Sequence, residues 1–131
     1  MAGISPTQRT IAYLKNQGLI CGVVERWIPN PKLPGGGIRS DLFGFIDIIT
    51  ISQADGIMGI QSCGSSYSEH YKKITVDKQD EVRAWLEAGG KLQLISWRKL
   101  KRKNKDGSYS KAYEWKPRIK QITLDDLGEN T

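Results

Sequence analysis

The 131-residue chain contains one histidine, two cysteines, two methionines and two phenylalanines. A single His excludes a zinc centre built on several imidazoles. Cys21 and Cys63 lack metal-ligand spacing and are too few for a disulfide framework. Reduced thiols in an intracellular, cytoplasmic protein are therefore expected. No stretch approaches the ~18 consecutive apolar residues of a membrane span, and the N-terminus has no signal-peptide pattern. There is no internal repeat. Proline is scarce, and three of the five prolines fall within residues 29–34. What the chain does have is 38% apolar residues, four Trp, five Tyr and a formal charge of +6. One domain over 1–131 accommodates this, with a frayed tail over about 125–131.

The most informative stretch is Asp41 to Cys63. Phe43, Phe45, Ile46, Ile48, Ile49 and Ile51 are aromatic or β-branched, which predicts a buried strand over 42–52. Ala54-Asp55-Gly56 predicts a three-residue loop, and 57–63 a return strand. Asp47 is out of place in this apolar run, because an unpaired buried carboxylate is costly. With 54–56 as the loop, Asp47 opposes Cys63. The strand period of two then brings Asp47, Gln61 and Cys63 to one face. Asp41 shares that face, but six residues of straight strand hold it roughly 20 Å away. A sharp bend would be needed to join the two acids, so Asp41 is a reserve candidate. Asp47 capping a neighbouring backbone group is the plain structural alternative.

Before this stretch, Ser5-Pro6-Thr7-Gln8 is a capping box opening a helix that ends at Gly18, with Ile11, Leu14, Ala12 and the Lys15 stem facing inward. Residues 19–28 read as a strand carrying Glu25, a second acid among apolar neighbours. Its alternative role is a surface salt bridge. Residues 29–38, PNPKLPGGGI, read as a loop without regular structure. Arg39 follows it as a candidate phosphate contact. After Cys63, a helix from about Tyr67 aligns Tyr67, His70, Tyr71 and Ile74 on one face. His70 is thereby expected to be packed or half-buried. Asp77 is placed to cap a helix over 78–88, and Leu92, Leu94 and Ile95 form a strand to Trp97.

The pattern Gly44-Phe45-Ile46-Asp47-Ile48-Ile49, with Gln61-Ser62-Cys63 fourteen residues after the acid, resembles the PD-(D/E)XK nuclease superfamily. With Trp97-Arg98-Lys99 near its end, it is similar to small phage-type Holliday-junction-resolvase-like members over roughly residues 7–100. The resemblance implies that Asp47 ligates Mg²⁺ or Mn²⁺. It also implies that Gln61 stands where the family has Glu and Cys63 where it has the water-orienting Lys. A Gln carbonyl still suits a hard cation, whereas Cys63 cannot replace an ammonium. Lys72 or Lys73 on the following helix is the candidate substitute, and Glu25 the candidate further ligand.

Residues 98–111 hold seven Lys/Arg and one Asp, a net +6 that equals the charge of the whole chain. Asn104-Lys105-Asp106-Gly107 signals a hairpin turn over about 97–117, with Tyr109, Tyr113 and Trp115 nearby. Arg98, Lys99, Lys101, Arg102, Lys103 and Lys105 thus join Arg39, Lys72 and Lys73 as candidate DNA contacts. The alternative for this hairpin is a solubilising edge.

The expected fold is α/β (α+β), with a mixed sheet flanked by helices in the order αβββαβ and a basic C-terminal hairpin. The order matches the core of the resembled superfamily. The expected function is metal-dependent DNA cleavage, including branched, Holliday-junction-like DNA, which requires two sites and hence a homodimer. A non-catalytic nucleic-acid-binding module on the same fold and an RNA-binding domain of another fold are the competing expectations.

Overall fold

The computed structural model describes residues 4–128. The fold is α+β: a mixed five-stranded sheet, a separate two-stranded sheet and three helices. Helix α1 (Pro6–Asn16) starts at the Ser5 capping box, with Gln8 Oε1 and Ser5 Oγ accepting the reciprocal bonds from backbone N–H groups. Its inward face is Thr10, Tyr13 and Leu14, with Ile11 half-buried. Ala12 and Lys15 point outward, contrary to expectation. Thr10 is buried because its hydroxyl is satisfied: it bonds Ser62 Oγ at 2.7 Å and accepts from Trp97 Nε1 at 2.8 Å, as a buried hydroxyl requires.

The expected strand over 19–28 is divided into β1 (Ile20–Val23) and β2 (Arg26–Pro29), with Val24 and Glu25 between them. The expected loop over 29–38 is largely the end of a hairpin. A short 3₁₀ turn (Pro34–Gly36) leads into β3 (Gly37–Ser40), which pairs antiparallel with β2. Strand β4 (Ile48–Ser52) is shorter than the predicted 42–52, because residues 42–46 fold into a tight loop closed by reciprocal Leu42–Ile46 backbone bonds. Strand β5 (Gly56–Cys63) returns antiparallel to β4. The β1, β4 and β5 strands form the expected antiparallel meander, and β2–β3 is an arm inserted into it.

Helix α2 (Tyr67–Lys72) runs directly into a π-helical turn (Lys73–Asp77), then α3 (Gln79–Glu87). Asp77 does not cap α3. The chain stays helical through it, and Lys78 occupies the cap position without a side-chain bond. His70 is half-buried, as expected, beside Ser66. The segment carries the chain to β6 (Lys91–Lys103), which is parallel to β5, and β7 (Tyr109–Ile122) closes the sheet in the order β1-β4-β5-β6-β7. The predicted strand to Trp97 and the basic hairpin are one antiparallel pair from Leu92–Ile122 to Lys103–Tyr109, with a register shift between Lys101 and Lys103.

Two apolar layers flank the sheet. One joins Phe45, Ile46, Ile74, Val82, Leu92 and Leu94 under α2 and α3; the other joins Leu14, Ile48, Ile60, Ile95 and Trp97 under α1. Residues 125–127 are not frayed. They belong to a 3₁₀ turn in which Thr123 N–H donates to Asp126, Tyr71 Oη donates to Asp126 at 2.9 Å, and Leu127 is buried. Residues 129–131 of the predicted tail lie outside the described residues. Among the described residues, no helix is long and apolar enough to cross a membrane.

Candidate metal centre and basic arm

The Asp47 backbone is held between two strands: Val24 N–H donates to its carbonyl, and its own N–H donates to Ile60 O, both at 2.9 Å. The β4–β5 ladder pairs Ile48 with Ile60, so Asp47 lies opposite Gln61 rather than Cys63. The loop is residues 53–55, one position earlier than expected. That shift moves the register by two, so the face is unchanged, because side chains alternate with period two. Gln61 Nε2 donates to Asp47 Oδ2 at 2.6 Å, and Ser62 N–H donates to the same oxygen at 2.9 Å. Asp47 therefore also satisfies a backbone group, as the structural alternative required.

Asp41 belongs to the same cluster. The chain turns back at Phe43 (φ 56°) and Gly44 (φ 84°), and this bend replaces the straight strand that would have separated the acids. Glu25, at the joint between β1 and β2, completes the group. One carboxylate oxygen from each of Glu25, Asp41 and Asp47 lies within 4.8 Å of the others. Glu25 also pairs with the exposed Arg39 at 3.3 Å, the salt bridge expected as its alternative role.

Of the two candidate lysines, Lys73 reaches the cluster. Its Nζ is 3.0 Å from Asp41 Oδ2. Lys72, the last residue of α2, is exposed and in no salt bridge among the described residues. Burial of Asp47, reinforced by its hydrogen bond with Asp41, raises its pKa to about 8. Burial also pushes Asp41 up, but hydrogen bonds with Asp47 and Lys73 outweigh it and leave this carboxyl below its ordinary value. The pair thus holds one proton, on Asp47, as expected where adjacent carboxylates cannot both ionise cheaply. Cys63 is buried at the edge of the site. Burial pushes its thiol up despite the Ser96 hydroxyl, and Asp47 adds to the effect.

Gln61 is 2% exposed, and among the described residues its Oε1 is the one buried side-chain polar atom without a hydrogen-bond partner. The amide turns its nitrogen, not this oxygen, to the acids, with Nε2 2.6 Å from Asp47 and 3.5 Å from Asp41, so the oxygens that could hold a metal ion here are those of the three carboxylates.

The basic ladder stands beyond this centre. Arg98, Lys99, Lys101, Arg102, Lys103 and Lys105 are all exposed. Lys99 lies 5.1 Å from the Tyr113 ring centroid, and Lys103 lies 5.7 Å from that of Tyr109. Sequence reasoning missed Lys116, Arg118 and Lys120. The register Gln61–Leu94–Lys120 and Cys63–Ser96–Arg118 sets these β7 cations on the face of the acid cluster. Arg118 stacks on Tyr67 at 3.7 Å. Cations at alternate positions 116, 118 and 120 were the available signal, since alternate residues of a strand share a face.

Compared with models of known families, with curated proteins and with solved structures, the chain matches none.

Proposed function

We propose that the protein is a metal-dependent DNA endonuclease. The observation that carries this is the convergence of Glu25, Asp41 and Asp47 within 4.8 Å, with Lys73 Nζ 3.0 Å from Asp41. A divalent cation there would displace the Asp47 proton, and three carboxylates would then face it. Asp47, Asp41 and Glu25 would hold Mg²⁺ or Mn²⁺; Gln61 would offer its unpaired amide oxygen only after its amide turned over, since Nε2 now faces the acids. When bound, such an ion polarises the phosphoryl oxygen and acidifies water. Lys73 takes the place of the family's strand lysine: its ammonium orients a water or a phosphate oxygen beside Asp41. The Gln61 amide and Ser62 N–H fix the Asp47 carboxylate. The exposed cations of β6 and β7 hold the DNA backbone, which attracts Lys and Arg irrespective of sequence.

Cleavage of branched DNA by paired sites of a homodimer is the finer form of this proposal. A second reading, a binding module without catalysis, draws on Cys63: a buried, protonated thiol stands where the resembled family has an ammonium. Incubation of supercoiled plasmid and a four-way junction with Mg²⁺ or Mn²⁺ separates the two. Cleavage is expected from the native chain, and it is lost in Asp47→Asn while DNA binding is kept. Cleavage that persists unchanged in Asp47→Asn removes this centre from the reaction; no cleavage by the native chain leaves the binding module.

A further inference from the structure

The β2–β3 arm is joined to the rest of the chain at Glu25 and Asp41, two of the three clustered acids. Residues 26–40 contain Arg26, Lys32 and Arg39 and no Asp or Glu. The arm thus offers a cationic surface rooted in an acidic centre. Trp27 is 51% exposed, which leaves a large aromatic surface in water.

Its indole has a built seat. Trp27, Gly37 and Arg39 share one face of the arm, because Trp27 pairs with Arg39 and alternate residues share a face. A Cβ on Gly37 would fall 2.7 Å from the indole Cζ2. The ring therefore lies against bare backbone on one side and presents its other side outward. A cavity of about 320 Å³ adjoins it, lined by Val23, Glu25, Arg26, Trp27 and Arg39. That volume is at the lower end of ligand pockets, roughly 300 Å³. The Arg39–Glu25 contact is made by a side chain that is 69% exposed. Such pairs contribute little, so a phosphate can recruit the guanidinium.

We propose that this arm is a stacking platform for an unpaired nucleotide beside the scissile phosphodiester, with the base on Trp27 and its phosphate on Arg39. An indole binds any base through its π-face, but only if that base is free of its duplex neighbours. The platform therefore selects single-stranded, gapped or branched DNA over continuous duplex. The proposal rests on the nuclease reading only for the position of the scissile bond.

The test uses the full chain, in EDTA and again in Ca²⁺, with an oligonucleotide carrying 2-aminopurine as a single strand and as a duplex. Binding of the native chain to the single strand is expected to quench the 2-aminopurine emission. Trp27→Ala should weaken single-strand binding by roughly tenfold and duplex binding by less than about twofold, and Trp27→Phe should restore most of the loss. Equal losses on both substrates, no quenching, or Phe no better than Ala would overturn the platform. Tyr109, Tyr113 and Trp115 are also exposed, so loss of quenching in Trp27→Ala assigns it to Trp27; where that variant does not fold, Arg39→Ala should weaken single-strand binding more than duplex binding, and equal or no loss would overturn the platform. Quenching and selectivity without Mn²⁺-dependent cleavage would keep the platform and remove the nuclease centre. Cleavage without them would do the reverse.

Discussion

Asp47 is the residue on which the site's electrostatics turn. Its carboxyl keeps a proton up to about pH 8, against an ordinary value of 3.8. The folded chain thus binds a proton that the unfolded chain has released, and stability falls as pH rises. Asp47's contribution is complete below about pH 3.8 and is lost as pH climbs through 8. Asp41, with its lowered pKa, acts oppositely: its contribution is present above 3.8 and lost only at more acidic pH. The metal-free protein should therefore show a declining Tm from pH 5 to pH 9, and Asp47→Asn should flatten that decline. Mn²⁺ should stabilise most at the alkaline end, because binding must displace the proton. Thermal melts across this range check both expectations. Gln61 offers a second test. Gln61→Glu replaces an amide that donates to Asp47 at 2.6 Å and to Asp41 at 3.5 Å with a carboxylate that repels the ionised Asp41. It should lower the metal-free Tm and increase the rise produced by Mn²⁺. Saturation to 100 times Kd corresponds to about 2.7 kcal/mol. A Tm rise no larger than that of the native chain would remove Gln61 from the donor set.

At the scale of elements, the bend at residues 42–46 assembles the centre. Gly44 has φ 84°, and a Cβ there would meet the Lys78 side chain at 2.7 Å. Lys78 has a flexible end and can yield, but a left-handed backbone at a residue with a Cβ still costs about 1–2 kcal/mol. Gly44→Ala should destabilise by roughly that amount. It should also diminish the Mn²⁺-induced Tm rise, since Asp41 is held by this loop. Destabilisation with an unchanged metal response would mean that the bend tolerates the change and Asp41 keeps its place. The π-helical turn has a comparable part. It begins at Lys73, the lysine that reaches Asp41, and its Ile74 is fully buried in the core. Packing of Ile74 anchors the backbone from which the ammonium extends.

The whole molecule is strongly polarised. Residues 98–111 carry a net +6 on a two-stranded extension of the sheet, far from compensating acids apart from Glu114, whose carboxylate meets Arg102 at 3.8 Å and Lys116 at 3.5 Å. Replacing Lys101, Arg102, Lys103 and Lys105 with Ala should weaken binding to every DNA sequence. If each cation neutralises one phosphate, the slope of log K against log salt should flatten by roughly 3.6, at 0.9 per phosphate. Stability should barely change, because exposed charges contribute little. Filter binding at several salt concentrations measures the slope. An unchanged slope would transfer the DNA contact to Lys116 and Arg118 on the face of the acid cluster.

Local physical chemistry alone determined much of this protein. The Ser5 capping box opens α1, the alternation along β4 and β5 puts Asp47 and Gln61 on one face, and the Asn104–Gly107 turn sits between complementary strands. These features depend on neighbours in sequence or on a period of two, which survives a register error of two residues. Tertiary structure decided the rest. Asp41 meets Asp47 only because residues 42–46 loop back instead of extending; Phe45 and Ile46 fill the core from this loop as well as they would from a strand, while Phe43, expected in a buried strand, is exposed at the bend. Glu25 enters the site through the junction between two strands that the sequence runs together. Lys73 rather than Lys72 faces the acids because a helical segment's rotation is set by which residues its core accepts, here Ile74 and Thr75. Lys116, Arg118 and Lys120 share the site's face through pairings with β6 and β5. A carboxylate trio assembled from positions 25, 41 and 47 is a product of chain reversal, and reversals are governed by packing between distant segments.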